Sequence, residues 1–231
     1  MDLFFARAID RNQLLLDEEE LHHLRVLRKN VGEELLATDG LGNQYRAEIV
    51  SLKKNECILK VLSFTNVPAK TPGLHIAIAP TKNIDRIEWF TEKAVESGIQ
   101  TISFLNCRHS ERKEIRTDRI RKVAVSAMKQ SGKYHLPVIN EIISFSDFVN
   151  RNLEGKKLLA TMTAPSDNHF KKMINHSEDA IVMIGPEGDF HPEEIEMAIA
   201  KGYQLVSLGP ERLRTETAAL ASCMWFNFLN H

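Results

Sequence analysis

Cysteine is scarce: the 231 residues hold three, Cys57, Cys107 and Cys223, far apart and without a CxxC spacing. That excludes a disulfide framework and a zinc ribbon, and fits reduced thiols in a reducing compartment. No apolar run approaches the roughly 18 residues needed to span a bilayer. The opening residues, MDLFFARAIDR, lack a basic stretch followed by a long apolar one, so no secretory signal is expected. A cytoplasmic chain with no membrane partner is the expectation. The phosphate loop GxxxxGK[ST], the GxSxG elbow and the HExxH helix are all missing. The only GxG, Gly40-Leu41-Gly42, lies between two strand patterns and opens no helix, so it reads as a hairpin turn. His22-His23 and the remaining histidines lack metal-ligand spacing, and no metal is expected. The common hydrolase and nicotinamide classes lose their support.

What is present is ordinary globular material, 43% hydrophobic and 26% charged, long enough for one large domain or two unequal ones. The net charge of -1 conceals a polarised chain. Residues 108–133 carry nine Lys or Arg against three acids, whereas residues 178–196 carry seven acids and no Lys or Arg. Such blocks fit a face for a polyanion and a face that avoids it, although a charge run is also what a solvated helix face looks like.

The first seventy residues read mainly as strands. EELLATD and QYRAEIVSL flank the turn-rich DGLGN, and ECILKVLSF follows. DEEELHHLRVLRK fits a short helix with Leu21, Leu24 and Leu27 on one side. NVPAKTPG, residues 66–73, has two prolines, a glycine and no periodicity, so a boundary falls there: residues 1–68 form one domain and 72–231 another. Beyond it strands and helices alternate. LHIAIAP, TISFLN, KKLLATM, AIVMIG and YQLVSLG read as strands. IDRIEWFTEKAVES reads as a helix closed by Gly98, RTDRIRKVAVSAMKQS as a basic helix, and PEEIEMAIAKG as a helix opened by Pro192. This order predicts an α/β domain with a largely parallel sheet covered on both faces. The last helix, ETAALASCMWFNFLN, has no charge after Glu216 and must be buried on more than one side, by this chain or by a second subunit.

Two strand-to-loop junctions carry the chemistry. IVMIGPEGD leaves a buried strand through Gly185, Pro186, Glu187 and Gly188. LVSLGPERLRTETA leaves the next through Gly209 and Pro210 and enters the final helix. Open parallel sheets bind ligands outside the carboxyl ends of their strands. Glycines there let backbone groups approach a ligand, and a helix N-terminus offers unpaired N–H donors. Gly-Pro loops are also plain turns in α/β proteins, so the residues alone reach a small-ligand site beside a basic surface and no further.

IGPEGDF followed by LGPERLRTETAAL resembles the paired signature of the SPOUT methyltransferases and, more closely, that of the bacterial 16S ribosomal RNA uridine N3-methyltransferase family, the RsmE type. HHLRVLRKNVGEELLATDGLGNQYRAEI resembles that family's N-terminal PUA-like RNA-binding β-barrel. PTKNIDRIEWFTEKAVESGI resembles its lysine-bearing first strand-helix junction, and AVSAMKQSGKYHLPVI its Gln-Ser-Gly segment, here beginning at Gln130. The matches run in order over nearly the whole chain. The departures are Asp189, where a second glycine is more usual, and His191, in place of a Ser or Thr and a poor substitute for a Ser helix cap.

The resemblance implies a C-terminal trefoil knot, a homodimer, S-adenosyl-L-methionine as cofactor, and 16S ribosomal RNA or the small ribosomal subunit as partner. It implies a cofactor site at Thr161, Met162 and Thr163; at Ile184, Gly185, Pro186, Glu187 and Gly188; at Leu208 and Gly209; and at Leu213, Arg214, Thr217 and Ala218. In the reaction implied, uracil N3 displaces a sulfonium, so the protein must align the two, help N3 lose its proton and stabilise the imidate. Arg214 and then Lys82 are the candidates for stabilising that charge, and Glu187 or Glu216 for taking the proton or orienting the base. Glu216 is equally readable as a structural cap. Arg112, Lys113, Arg116, Arg119 and Lys122 would hold RNA phosphates, with His22, Arg25, Arg28 and Lys29 extending the track and Gln130 beside it. Two other readings stay open: a SPOUT enzyme acting on a different RNA, and a non-catalytic RNA-binding factor in ribosome assembly.

Overall fold

The computed structural model describes residues 2–230. Contacts divide them into two compact units, one containing the residues up to Ala69 together with Val125–Leu136, the other Lys70–Ala124 and the residues from Pro137 onward.

The first unit is built on a closed five-stranded barrel. Strands β1 (Leu3–Ala8), β2 (Gln13–Leu16), β3 (Glu34–Thr38), β4 (Asn43–Leu52) and β5 (Cys57–Asn66) run in the order β1-β2-β5-β4-β3. Parallel pairing of β1 with β3 closes it, which removes the exposed sheet edge. Helix α1 (Glu18–Val26) lies between β2 and β3. Asp17 caps it by accepting from Glu20 N, and Leu21 and Leu24 join Phe4, Leu14, Ile49 and Leu59 in the barrel core. The DGLGN turn is braced by the Asp39 carboxylate, which accepts from Leu41 N and from the Tyr45 hydroxyl.

The second unit is an α/β layer structure. Strands β6 (Leu74–Ile78), β7 (Thr101–Asn106), β8 (Val138–Ser144), β9 (Lys156–Ala160), β10 (Ala180–Ile184) and β11 (Gln204–Val206) form one sheet in the order β11-β9-β10-β6-β7-β8. Every pairing is parallel. Each residue of β10 is buried, as a strand covered on both faces requires. Helices α2 (Ile84–Ser97), α4 (Phe145–Val149), α5 (Phe170–Met173), α6 (Pro192–Ala200) and α7 (Thr215–Asn230) belong to this unit, and α3 (Thr117–Gln130) begins in it and ends in the first. α2 and α5 pack on α7, and α4 on α6. Ile87, Phe90 and Ala94 make the buried stripe of α2, which Gly98 ends in the left-handed conformation as the sequence predicts. Among the described residues no helix is long and apolar enough to cross a membrane.

Val125–Leu136 clusters with the barrel, a long-range assignment that a linear boundary at residues 66–73 has no means to express. Lys129 pairs with the buried Glu20, Leu136 N donates to Gly40 O, and Gly42 N donates to Tyr134 O, so the segment closes over the DGLGN turn.

Candidate functional site

β11, β9 and β10 are neighbours, so their carboxyl ends and the loops beyond them converge. A cavity of about 500 Å³ opens there, within the usual range for small-ligand sites. Its walls come from the end of β9, the loop after β10, the loop after β11 and the first turn of α7. Of the residues expected to form a cofactor site, Thr161, Met162, Ile184, Gly185, Pro186 and Glu187 line it. So do Leu208, Gly209, Leu213, Arg214 and Ala218. Thr163, Gly188 and Thr217 fall outside the lining. Thr215, at the head of the final helix, lines it too, and Ala160, Asp189, Ser207, Glu211 and Arg212 line it without having been anticipated.

Local chemistry explains the shape. A Cβ on Gly185 would sit 3.1 Å from the Phe190 ring, so a side chain here would press on that ring and the loop folds back closely on itself. Thr215 Oγ1 donates to Gly185 O at 3.1 Å and ties the head of α7 to the end of β10. The first helical bond of α7 runs from Ala218 N to Arg214 O, which leaves the amides of Thr215 to Thr217 ahead of the helical ladder, with Arg214 and Thr215 in the cavity lining. Asp189, beyond β10, reaches across to the end of β9. Its carboxylate accepts from Thr161 Oγ1 at 2.8 Å and from Met162 N at 3.2 Å.

The four residues proposed for the chemistry separate. Arg214 and Glu187 line the cavity, and both are exposed. Glu187 Oε1 accepts from Lys82 N at 3.3 Å, but the Lys82 ammonium pairs with Glu111 at 3.0 Å and is not in the lining. Glu216 is only 7% exposed and turns toward α2, with Arg86 Nε 3.8 Å from its Oε1. The structure places Glu216 in a helix-helix contact and not in the cavity wall.

The basic residues occupy both units. Arg112 is half-buried and donates to Thr81 O at 3.1 Å and Lys82 O at 2.7 Å, so its guanidinium braces the loop after β6. Arg119 pairs with Glu88. Lys113, Arg116 and Lys122 are exposed. In the first unit His22, Arg28 and Gln130 are exposed, Arg25 donates to Lys54 O, and Lys29 pairs with Glu33 at 2.9 Å. His191 corrects an expectation: its ring accepts from Glu193 N at 3.3 Å while Glu194 accepts from His191 N at 2.9 Å, so it heads a complete capping box. A neutral imidazole nitrogen is a sufficient acceptor, which a ranking of cap residues by hydroxyl and carboxylate overlooks.

A family model described as an RNA methyltransferase domain matches residues 69–227, and one described as an RNA methyltransferase PUA domain matches residues 16–62. A probable rRNA-methyltransferase from Porphyromonas gingivalis superposes with a TM-score of 0.90 at 37% identity, covering 100% of this chain and 98% of that one. A ribosomal RNA small subunit methyltransferase E from Neisseria gonorrhoeae, crystallised bound to S-adenosyl methionine, superposes with a TM-score of 0.85 at 26% identity over 100% of this chain and 98% of that one. The curated ribosomal RNA small subunit methyltransferase E of Rickettsia conorii is 26% identical over 90% of this chain and 86% of its own.

Proposed function

The chain belongs to the RNA methyltransferase family, and we propose that it moves a methyl group from S-adenosyl-L-methionine to N3 of one uridine in 16S ribosomal RNA. The observation carrying this reading is the strand-end cavity, which lies in a chain similar over its whole length to a relative crystallised with that cofactor. The names of the curated relatives support the ribosomal substrate. The cavity is large enough, with apolar Ile184, Leu208, Leu213 and Ala218 for the adenosine and backbone amides at the head of α7 for polar atoms. Bound there, the cofactor supplies an electrophilic methyl carbon. Arg214 then stabilises the negative charge that spreads to the uracil carbonyl oxygens as N3 is deprotonated. Glu187, an exposed carboxylate in the lining, accepts the proton. N3 lies on the pairing edge, so the target uridine is unpaired or flipped out. In the same reading the C-terminal segments form a trefoil knot, the cytoplasmic enzyme is a homodimer, and the barrel holds RNA.

The test is methylation of 16S ribosomal RNA, free and in small subunits, with isotopically labelled cofactor, followed by nucleoside analysis. Label in 3-methyluridine is the expected result. Label in a ribose 2′-O-methyl group or in another RNA would replace the N3 assignment. A protein that binds this RNA but gives no calorimetric heat with S-adenosylmethionine would be an assembly factor.

A further inference from the structure

Asp189 has a φ of +62°, a left-handed backbone that side chains other than glycine rarely adopt. Asp and Asn tolerate it where a short polar side chain finds partners nearby. Here the partners are unusually spread. Oδ1 accepts from Phe190 N at 2.8 Å, within its own loop. Oδ2 accepts from Thr161 Oγ1 and Met162 N, beyond the end of β9. The backbone N–H of Asp189 donates to Pro186 O at 3.0 Å, and its carbonyl lies 3.0 Å from His109 Nδ1, beyond the end of β7. One residue thus joins three strand ends.

The hydrogen bonds give Thr161 a definite rotor. Its hydroxyl has its proton committed to the carboxylate, so its oxygen is left to accept, and Thr163 N donates to it at 3.2 Å. Carboxylate, hydroxyl and amide form a directed chain that sets the turn 161–163. Thr161 and Met162 are a wall of the cavity, as is Asp189 itself. With glycine at 189 the left-handed loop would persist, but Met162 N–H and the Thr161 hydroxyl would lose their acceptor.

We infer that Asp189 is a positioning residue whose carboxylate, acting through Thr161, pre-forms the β9 wall of the cavity for the cofactor. The inference rests on the reading that this cavity takes S-adenosylmethionine. Its energetic logic is preorganisation: a turn already held in the bound shape need not be ordered on binding.

Calorimetric titration of S-adenosylmethionine separates the parts. Asp189→Gly is expected to weaken binding about tenfold, the scale of a lost hydrogen bond to a charged group. Asp189→Asn retains one acceptor oxygen for Thr161 and recovers most of the affinity. Thr161→Val weakens binding similarly, and the Asp189→Gly/Thr161→Val double variant is no weaker than either single one, because both break one chain. Wild-type affinity in Asp189→Gly, or losses that multiply in the double variant, would overturn the inference. Amide exchange in ligand-free protein tests the clamp independently of any ligand: Met162 exchanges faster in Asp189→Gly and in no loop distant from it. Unchanged Met162 exchange refutes the clamp. Wild-type protein that gives no heat with S-adenosylmethionine refutes the cofactor reading instead, and leaves the exchange result to decide the clamp.

Discussion

Arg214 and His75 show two fates of a charged or chargeable side chain in the second unit. Arg214 is exposed in the cavity wall, where a fixed positive charge acts on whatever negative charge develops in front of it. Arg214→Ala is expected to lower kcat by about a hundredfold or more while S-adenosylmethionine affinity changes by less than about threefold, as for removal of a preorganised charge stabiliser. Arg214→Lys restores part of the rate; an unchanged kcat in the alanine variant removes Arg214 from the chemistry. His75 on β6 has the opposite environment. Its Nε2 lies 2.8 Å from Ser103 Oγ, which also accepts from the Asn140 amide, and its ring packs edge-on against Phe148. Burial, and secondarily the charge of Arg151, push its pKa down to about 4. A base whose folded-state pKa lies below its unfolded value of about 6.5 is held neutral by the fold. Its contribution is complete above the unfolded value and is lost as pH falls toward 4, by up to about 1.4 kcal/mol per pH unit. Unfolding free energies measured across that window should fall more steeply for wild type than for His75→Gln. Parallel curves would show that His75 contributes nothing.

Among the elements, α3 makes the clearest energetic demand. Its Lys129 reaches Glu20 of α1, a carboxylate only 3% exposed, whose pKa burial raises even against the pull of the lysine. Removing one partner of such a pair leaves a buried charge without compensation, at a cost of about 3 kcal/mol, whereas replacing both is nearly neutral. Lys129→Met should therefore lower stability by about that amount in denaturant unfolding, and Glu20→Gln/Lys129→Met should recover most of it. A double variant no better than Lys129→Met alone would mean that the loss is packing by the lysine stem. That contact was outside the reach of sequence reading, because Glu20 and Lys129 stand 109 positions apart and neither shows a local pattern. What was legible was local and periodic: the apolar stripe of α2 with its glycine cap, the proline that opens α6, and the continuous apolar run of β10. β8 was not legible, since its VINEIIS mixes Asn140 and Glu141 into an edge strand with one buried residue. α4 and α5, five and four residues long, are too short for a helical period to register. The order that inserts β10 between β9 and β6 leaves no trace in any one strand. At the site, glycines and prolines marked the two later loops, whereas Asp189 was seen only as a departure from a pattern. The signal available was an aspartate standing where a glycine is more usual, which is compatible with a left-handed backbone. Its partner Thr161 could not be inferred from spacing.

For the whole molecule the two open matters are what RNA covers and what a second copy covers. If Arg112, Lys113, Arg116, Arg119 and Lys122 all neutralise phosphates, log Kd against log salt rises with a slope of about 3.5, or roughly a hundredfold between 50 and 200 mM. A flat response would remove the basic track from RNA binding. Helix α7 poses the other matter. Ala219, Ser222, Cys223 and Phe226 face inward, a regular buried stripe. On the remaining surface Met224 is 40% and Phe228 79% exposed, and the helix carries no charge after Glu216. A solvated helix face normally alternates charges around such residues, so this one is suited to contact with another apolar surface. The homodimer in the proposed function supplies that surface as a second α7. A symmetric interface places each added charge opposite its own copy, so Met224→Glu/Phe228→Glu sets like charges against each other twice. Light scattering should then report a dimer for wild type and a monomer for the variant, with the far-ultraviolet circular dichroism unchanged because neither side chain belongs to the core. A variant that remains dimeric would place the interface elsewhere, and a monomeric wild type would leave α7 exposed in solution with no role in assembly.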